Sequence, residues 1–309
     1  MSLRVATFVA AMALAGCIGP SEPIDGPDAP HFRDPAVVPR VALVLGSGGP
    51  RGFAHIGVLL ALEEAGVRPD LIVGSSAGAL VGALHAAGLS ARELEALAMD
   101  VNLIEFFELR MVTGGPASGR ALQDYVNRQV RGRRIERFPV AFAAVAAREG
   151  TGEPVIFNAG DAGAAVRASS ASPGQFAPVR IGEARYVDGD EASPVPIRAA
   201  RRLGAAVVIA VDVSAHLSST PAGAPEAWIR KDRRRAAQVR AEAPEADVIL
   251  HPDIGYYAGH DAEYRRRVID IARRDALAGL PEIRAAIARA GAAGQSAGSA
   301  SMPSGPAAR

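Results

Sequence analysis

Cysteine and lysine are almost absent from this 309-residue chain, in which Cys17 and Lys231 are the only ones. A single cysteine excludes a disulfide framework and any cysteine-cluster metal site. With one lysine, nearly every basic side chain is arginine, and beside the abundant alanine this reads as the codon bias of a GC-rich genome, not as phosphate recognition. An excess of charge is lacking too. The 34 basic residues face 33 acidic ones, for a formal net charge of +1. Such a chain has no basic field with which to neutralise phosphates, so nucleic-acid binders are set aside as a class. No calcium loop and no metal-binding histidine spacing is visible, so neither a metal nor a cofactor is expected. No internal repeat is present, and the apolar run at residues 5–14 is too short to cross a bilayer by itself.

The lone cysteine has a telling position. Arg4, the apolar run and then Leu14-Ala-Gly-Cys17 form a charged start, a short apolar stretch and small residues before a cut. This is the layout of a secretory signal over residues 1–16. Leu-Ala-Gly-Cys resembles the lipobox of bacterial lipoproteins, in which the cysteine is lipidated and becomes the new N-terminus. An ordinary signal peptide with Cys17 near its cut is the plainer alternative. Residues 17–38 are rich in proline and aspartate and read as an extended tether.

The folded part is expected over residues 39–290. Val41–Leu45 is a short apolar run ending in glycines, as in a buried parallel strand. Helical patterns follow over residues 52–65, 77–87, 91–99, 120–130 and 163–170. Further helices are expected over residues 196–203, 228–240, 261–278 and 281–290. Strands are expected at residues 71–73, 140–146, 154–157, 186–187, 206–211 and 248–250. Strand and helix alternate, which predicts an α/β fold with a mostly parallel central sheet and helices on both faces. Residues 291–309, a Gly/Ala/Ser/Pro stretch, are expected to be disordered.

Three short stretches could carry chemistry. In Gly46-Ser-Gly-Gly-Pro-Arg-Gly52, between the first strand and first helix, glycines let backbone N–H groups point into open space and bind an anion. A dinucleotide is a poor fit. Arg51 stands where the third glycine of that fingerprint belongs, and Asp70 precedes the second strand instead of following it. Gly74-Ser-Ser-Ala-Gly78 runs from a strand straight into a helix and fits G-x-S-x-G, whose serine sits at a sharp turn with its hydroxyl exposed. Ser76 is therefore the candidate nucleophile and Ser75 its neighbour. For a base, His216, His251 and His260 fall late enough for the chain order Ser, Asp, His of an α/β-hydrolase esterase. His31 lies in the tether, His85 inside a helix, and His55 one turn into the first helix, where a structural role is expected. Asp188-Gly189 offers another base, since a glycine after the acid permits a tight turn that presents the carboxylate.

Together the three stretches resemble the patatin-like phospholipases. Gly46 to Gly52 with His55-Ile-Gly-Val-Leu59 resembles that family's oxyanion loop and first helix, and Gly74 to Gly78 its nucleophile elbow. Arg167-Ala-Ser-Ser-Ala-Ser-Pro-Gly174, with Phe176 and Pro178, resembles the segment before its aspartate, Asp188-Gly189. Ser193-Pro-Val-Pro196 is also similar to its bacterial members. The resemblance covers roughly residues 39–285 and implies a patatin-like three-layer sandwich. One position departs: where the family usually has Gly or Ala after Asp-Gly, this chain has Asp190. A carboxylate there would either raise the proton affinity of Asp188 by repulsion or turn to solvent.

The resemblance further implies a lipid acyl hydrolase in which Ser76 attacks an ester and Asp188 takes its proton without a histidine between them. The N–H groups of Gly48 and Gly49 would hold the oxyanion, with Gly74, Gly78 and Gly189 supporting the turns; Arg51 would brace the loop or add positive potential, or else be a plain surface residue. The partners expected are a lipid or fatty-acyl ester substrate and, through Cys17, the membrane of a bacterial cell envelope. Phe106, Phe107 and Met111, within residues 101–111, are expected in the core, or otherwise in a lid or acyl-chain wall. A catalytically silent, membrane-tethered scaffold is the remaining class.

Overall fold

A computed structural model describes residues 23–107 and 115–300. Among the described residues, eight strands form one sheet: β1 (Val41–Leu45), β2 (Leu71–Ser75), β3 (Ala141–Arg148), β4 (Pro154–Phe157), β5 (Val179–Ile181), β6 (Ala184–Val187), β7 (Val207–Val211) and β8 (Val248–Leu250). Their order is β5-β6-β3-β2-β1-β7-β8, with β4 also on β3. The β3-β2-β1-β7-β8 part is parallel, whereas β4, β5 and β6 pair antiparallel. The sheet is thus mixed, with a parallel centre.

Side chains alternate across the sheet and build two cores. Val41, Leu43 and Leu45 of β1 join a large cluster with helices α1 (Ala54–Glu64), α2 (Ala77–Ala86), α3 (Ala91–Asp100), α4 (Arg120–Gln129) and α5 (Ala162–Ser169). Ala42 and Val44 face the other way, onto α6 (Ile197–Arg202), with Val239 of α7 (Glu226–Glu242) packed at its margin. These are the three expected layers. α1 is apolar on nearly every side because it is sandwiched between the sheet and α8 (Ala262–Ala300). Gly57 makes that crossing close: a Cβ there would stand 2.1 Å from the Ile269 carbonyl oxygen.

Two expectations about the ends of the chain are corrected. α8 is continuous through Pro281 and runs to Ala300, instead of two helices followed by disorder from residue 291. Proline removes one hydrogen bond from a helix. Here Ala272 and Ala276 before it, and Ile283 and Ala286 after it, stay buried along one face, so packing carries the helix past the break. Alanine, a strong helix former, is frequent beyond residue 290. At the other end, residues 24–31 are docked and not a free tether. Ile24 forms a bridge to Ile181 and His31 to Ala159, while Arg134 pairs with Asp28. The edge of β5 otherwise presents unpaired backbone groups, and Ile24 satisfies two of them.

The parallel strands β1, β2 and β7 end together. Loops at the carboxyl ends of such strands are where α/β folds place their sites.

Candidate active site

β2 ends at Ser75, α2 starts at Ala77, and the whole turn is Ser76, with φ 53° and ψ −120°. A side chain at positive φ is uncommon, and strain of this kind persists only where the surroundings enforce it. They do so here through glycines. A Cβ on Gly74 would lie 2.5 Å from the Ala79 backbone, and one on Gly78 would lie 2.1 Å from the Leu45 carbonyl oxygen. The Ser76 N–H donates to Ser169 Oγ at 2.9 Å, whose hydroxyl donates to the Val145 carbonyl at 2.6 Å. Nothing in the sequence singled out Ser169 for this; it lies within the Arg167 to Gly174 segment, but its partners are 93 and 24 residues away.

The Ser76 hydroxyl donates to Asp188 Oδ2 at 2.9 Å. Topology makes this meeting possible: β6 runs antiparallel on β3 at Ala147 and Arg148, beyond the Val145 position where β2 stops. The end of β6 therefore points back at the end of β2. Gly189 must be glycine, since a Cβ would stand 2.2 Å from the Val145 carbonyl oxygen and 2.5 Å from Ser75 Oγ. Ser75 is fully buried beneath it. Asp188 is 3% exposed, and its Oδ1 accepts the Asp190 N–H at 2.9 Å. Burial, and then the negative charge of Asp190, push its pKa up to about 7.

Asp190 does not turn to solvent. It is 4% exposed and accepts two 2.8 Å hydrogen bonds from the Arg235 guanidinium, with Lys231 Nζ 3.3 Å away. Ser47 Oγ of the glycine loop donates to it as well. The cations on α7 hold its carboxyl well below the usual carboxylate range despite its burial. Arg235 was invisible to sequence reasoning, being one of several arginines in a run 45 residues downstream.

The glycine loop lies across the elbow: a Cβ on Gly52 would meet the Ala77 Cβ at 2.5 Å. Gly48 and Gly49 open the short 3-10 helix Gly49–Phe53 that leads into α1, so their N–H groups are among the donors a helix start leaves without internal partners. Gly49 has φ 54°. Arg51 is half-buried and donates to the Tyr256 carbonyl, a brace from the loop to the residues after β8. His55 is structural. Its Nε2 donates to the Gly46 carbonyl at 2.7 Å, and burial lowers its pKa to about 4, so the ring is neutral.

Among the described residues, no histidine hydrogen-bonds the Ser76 hydroxyl. His216 and His251 stack with ring centroids 3.8 Å apart, bonding the His251 and Ser214 carbonyls, and His260 is exposed. Phe106 packs edge-on against Tyr125 in the core; Met111 and Cys17 lie outside the described residues. A cleft of about 660 Å³ is walled by residues 148–152 with Pro173, Phe176, Val187 and Glu191; neither Ser76 nor Asp188 lines it.

The sequence profile of the patatin-like phospholipases matches residues 43–201, just over half of the chain. The chain belongs to the patatin-like phospholipase family. An uncharacterized NTE family protein of Mycobacterium tuberculosis is 37% identical over 179 residues, 57% of this chain and 49% of that protein. Patatin-like phospholipase domain-containing protein 6 of Mus musculus is 34% identical over 181 residues, 56% of this chain and 13% of that one. The chain thus spans about half, or much less, of the length of these relatives. The crystal structure of VipD from Legionella pneumophila superposes with a TM-score of 0.53 over 81% of this chain and 69% of that one, at 12% identity, which shows a shared fold. Within this patatin-like frame, the glycine loop, elbow and aspartate all fall inside the matched residues.

Proposed function

We propose that the protein is a lipid acyl hydrolase that cleaves carboxylic esters through an acyl-enzyme on Ser76. The observation that carries this reading is the 2.9 Å hydrogen bond from the Ser76 hydroxyl to a buried carboxylate, with no histidine between them. Ser76 Oγ adds to the ester carbonyl while its proton passes to Asp188. The N–H groups of Gly48 and Gly49 receive the oxyanion, a contribution of several kcal/mol in sites of this kind. Collapse of the adduct expels the alcohol, which takes the proton from Asp188 and leaves the acyl group on Ser76. Water then attacks the acyl-enzyme, Asp188 accepts its proton, and release of the fatty acid returns that proton to Ser76. A base with a pKa of about 7 suits both directions of transfer near neutrality. Family membership supports a lipid ester as the substrate class.

Fatty acid released from defined phospholipids and lysophospholipids, wild type against Ser76→Ala, tests the reading, with a fluorophosphonate probe reporting whether the serine is reactive. Wild type is expected to label and turn over, and Ser76→Ala to do neither. Equal turnover by both proteins, or a wild type that neither labels nor hydrolyses, overturns it; the second result leaves a silent scaffold.

The same reading includes a lipid anchor at Cys17, placing the enzyme in a bacterial cell envelope. No helix among the described residues is long and apolar enough to cross a membrane. Because Ile24 is docked on β5, only six residues separate Cys17 from the domain, a reach of at most about 20 Å against about 70 Å for a free tether to residue 39. Wild type is expected to pellet with membranes and to need detergent for release, and Cys17→Ala to stay soluble. Identical soluble partitioning of the two removes the anchor and leaves the hydrolase reading standing.

A further inference from the structure

Asp190 departs from the family pattern, and it lies at the junction of three parts of the site. Its backbone N–H holds Asp188 Oδ1 at 2.9 Å. Its Oδ1 accepts from Ser47, in the loop that carries Gly48 and Gly49. Both of its oxygens are taken by Arg235 of α7. α7 grips this turn with one polar face: Lys231 and Arg235 reach Asp190, Arg234 pairs with Glu191 at 2.8 Å, and Gln238 donates to the Glu191 carbonyl at 3.0 Å. One turn further on, Glu242 accepts from Ser193 Oγ at 2.6 Å. These positions recur every three or four residues, the spacing of one helix face. Apolar contact holds α7 only at its margins, through half-buried Ile229 and Val239, whereas its fully buried residues are the charged Arg235 and Glu242.

The geometry points to Asp190, with Arg235 and Ser47, as a positioning clamp that sets the oxyanion loop in register with the Ser76–Asp188 pair. The clamp deepens the hydrolase reading above and rests on it only for its kinetic readout. A buried pair of this kind is weak evidence for stability, because desolvating both charges offsets much of their attraction. Its worth is positional. The donors of an oxyanion hole must meet the developing charge within a few tenths of an ångström, and misplacement by about 1 Å costs on the order of a hundredfold in rate. Without Asp190, the loop is tied at its start by the Gly46 N–H to the Val211 carbonyl, His55 to the Gly46 carbonyl and the Ser47 N–H to the Pro194 carbonyl, and past Gly49 by the brace from Arg51 to Tyr256, so no side chain holds the Ser47–Gly49 stretch itself.

The pH dependence carries a second signature. The charged groups that face Asp188 are Asp190 from its own turn and Lys231 from α7, with the Ser76 hydroxyl from the elbow. Removing the Asp190 charge deletes the repulsion and leaves Lys231, so Asp188 loses its proton at lower pH.

Two variants and a control test the clamp on a soluble short-chain ester. Ser47→Ala removes one bond without stranding a charge; it is expected to fold and to lower kcat about tenfold with little change in KM. Asp190→Asn is expected to lower kcat at least as far and to move the acid limb of the rate profile to lower pH. The double variant should be no slower than Asp190→Asn alone, as expected of residues acting as a unit. Arg230→Gln, which pairs with Glu226 on the exposed face of α7, should match wild type. Hydrogen exchange reads the clamp without catalysis: amides of residues 46–53 should exchange faster in Ser47→Ala while those of β2 do not change. A Ser47→Ala protein with wild-type kcat and unchanged exchange refutes the clamp and leaves the hydrolase reading intact. Absent turnover in wild type refutes the hydrolase reading, and exchange alone then judges the clamp.

Discussion

Asp188→Asn should separate activity from stability, with opposite signs. Asparagine has the shape of aspartate, so its Oδ1 can still accept the Asp190 N–H and its amide can donate to Ser76 Oγ, preserving both 2.9 Å contacts. What disappears is a proton acceptor and a charge. Loss of the base should reduce ester turnover by a factor of about 10²–10⁴. The charge is a burden on the fold. Asp188 is raised from 3.8 to about 7, chiefly by burial and then by Asp190, so in this window the native state binds a proton that the unfolded chain has released. Native stability therefore falls as pH rises from about 4 to about 7 and is level above that. The full shift corresponds to about 4 kcal/mol, and dielectric relaxation around the carboxylate reduces it, so a gain of about 2–4 kcal/mol is expected for Asp188→Asn at pH 8. Urea denaturation of the two proteins at pH 4.5, 6 and 8 measures it. The gain should be smallest at pH 4.5, about a quarter of its size at pH 8 because the unfolded carboxyl is already mostly ionised there, and the midpoint should rise further above wild type at pH 6 and 8 with an unchanged slope. A gain of equal size at all three values, or a variant less stable than wild type at pH 8, would refute the idea that a desolvated charge is the cost.

Three further outcomes are expected. The acid limb of kcat/KM for wild type should lie near pH 7, with about a tenfold loss for each pH unit below it, read from initial rates between pH 4.5 and 8. Gly48→Val should cut turnover at least tenfold, because its first side-chain atom would stand 2.6 Å from Val213 Cγ2 and displace the loop that presents the N–H donors; wild-type kinetics would put the oxyanion site elsewhere. Ser90→Ala should lower unfolding free energy by about 1 kcal/mol without touching kcat, since Ser90 and Glu93 form a reciprocal capping box at the start of α3.

Local pattern alone carried much of this molecule. The apolar runs of β1, β2 and β7 and the glycines around Ser76 are legible because their causes are local: burial on both faces selects a continuous apolar strand, and a turn at positive φ with backbones in contact selects glycine. Asp188-Gly189 was legible only in combination, since a lone Asp-Gly is an ordinary turn signal. Other features had no local cause. Proline at 281 reads as a helix break, and only the burial of Ile283 and Ala286 in the core overrides it. Proline-rich residues 24–31 read as a free tether, and only the open edge of β5 gives Ile24 a partner. The sign of Asp190's role was undecidable from sequence, because an acid beside an acid is either repulsive or harmless until its counterion is known. That counterion, Arg235, lies 45 residues away. Ser169, which holds the Ser76 amide, lies 93 residues away. Sequence specifies what each segment can bury and how it can turn, whereas charges and hydroxyls act over a few ångströms of space, and which of them come within that distance was decided by the tertiary fold alone.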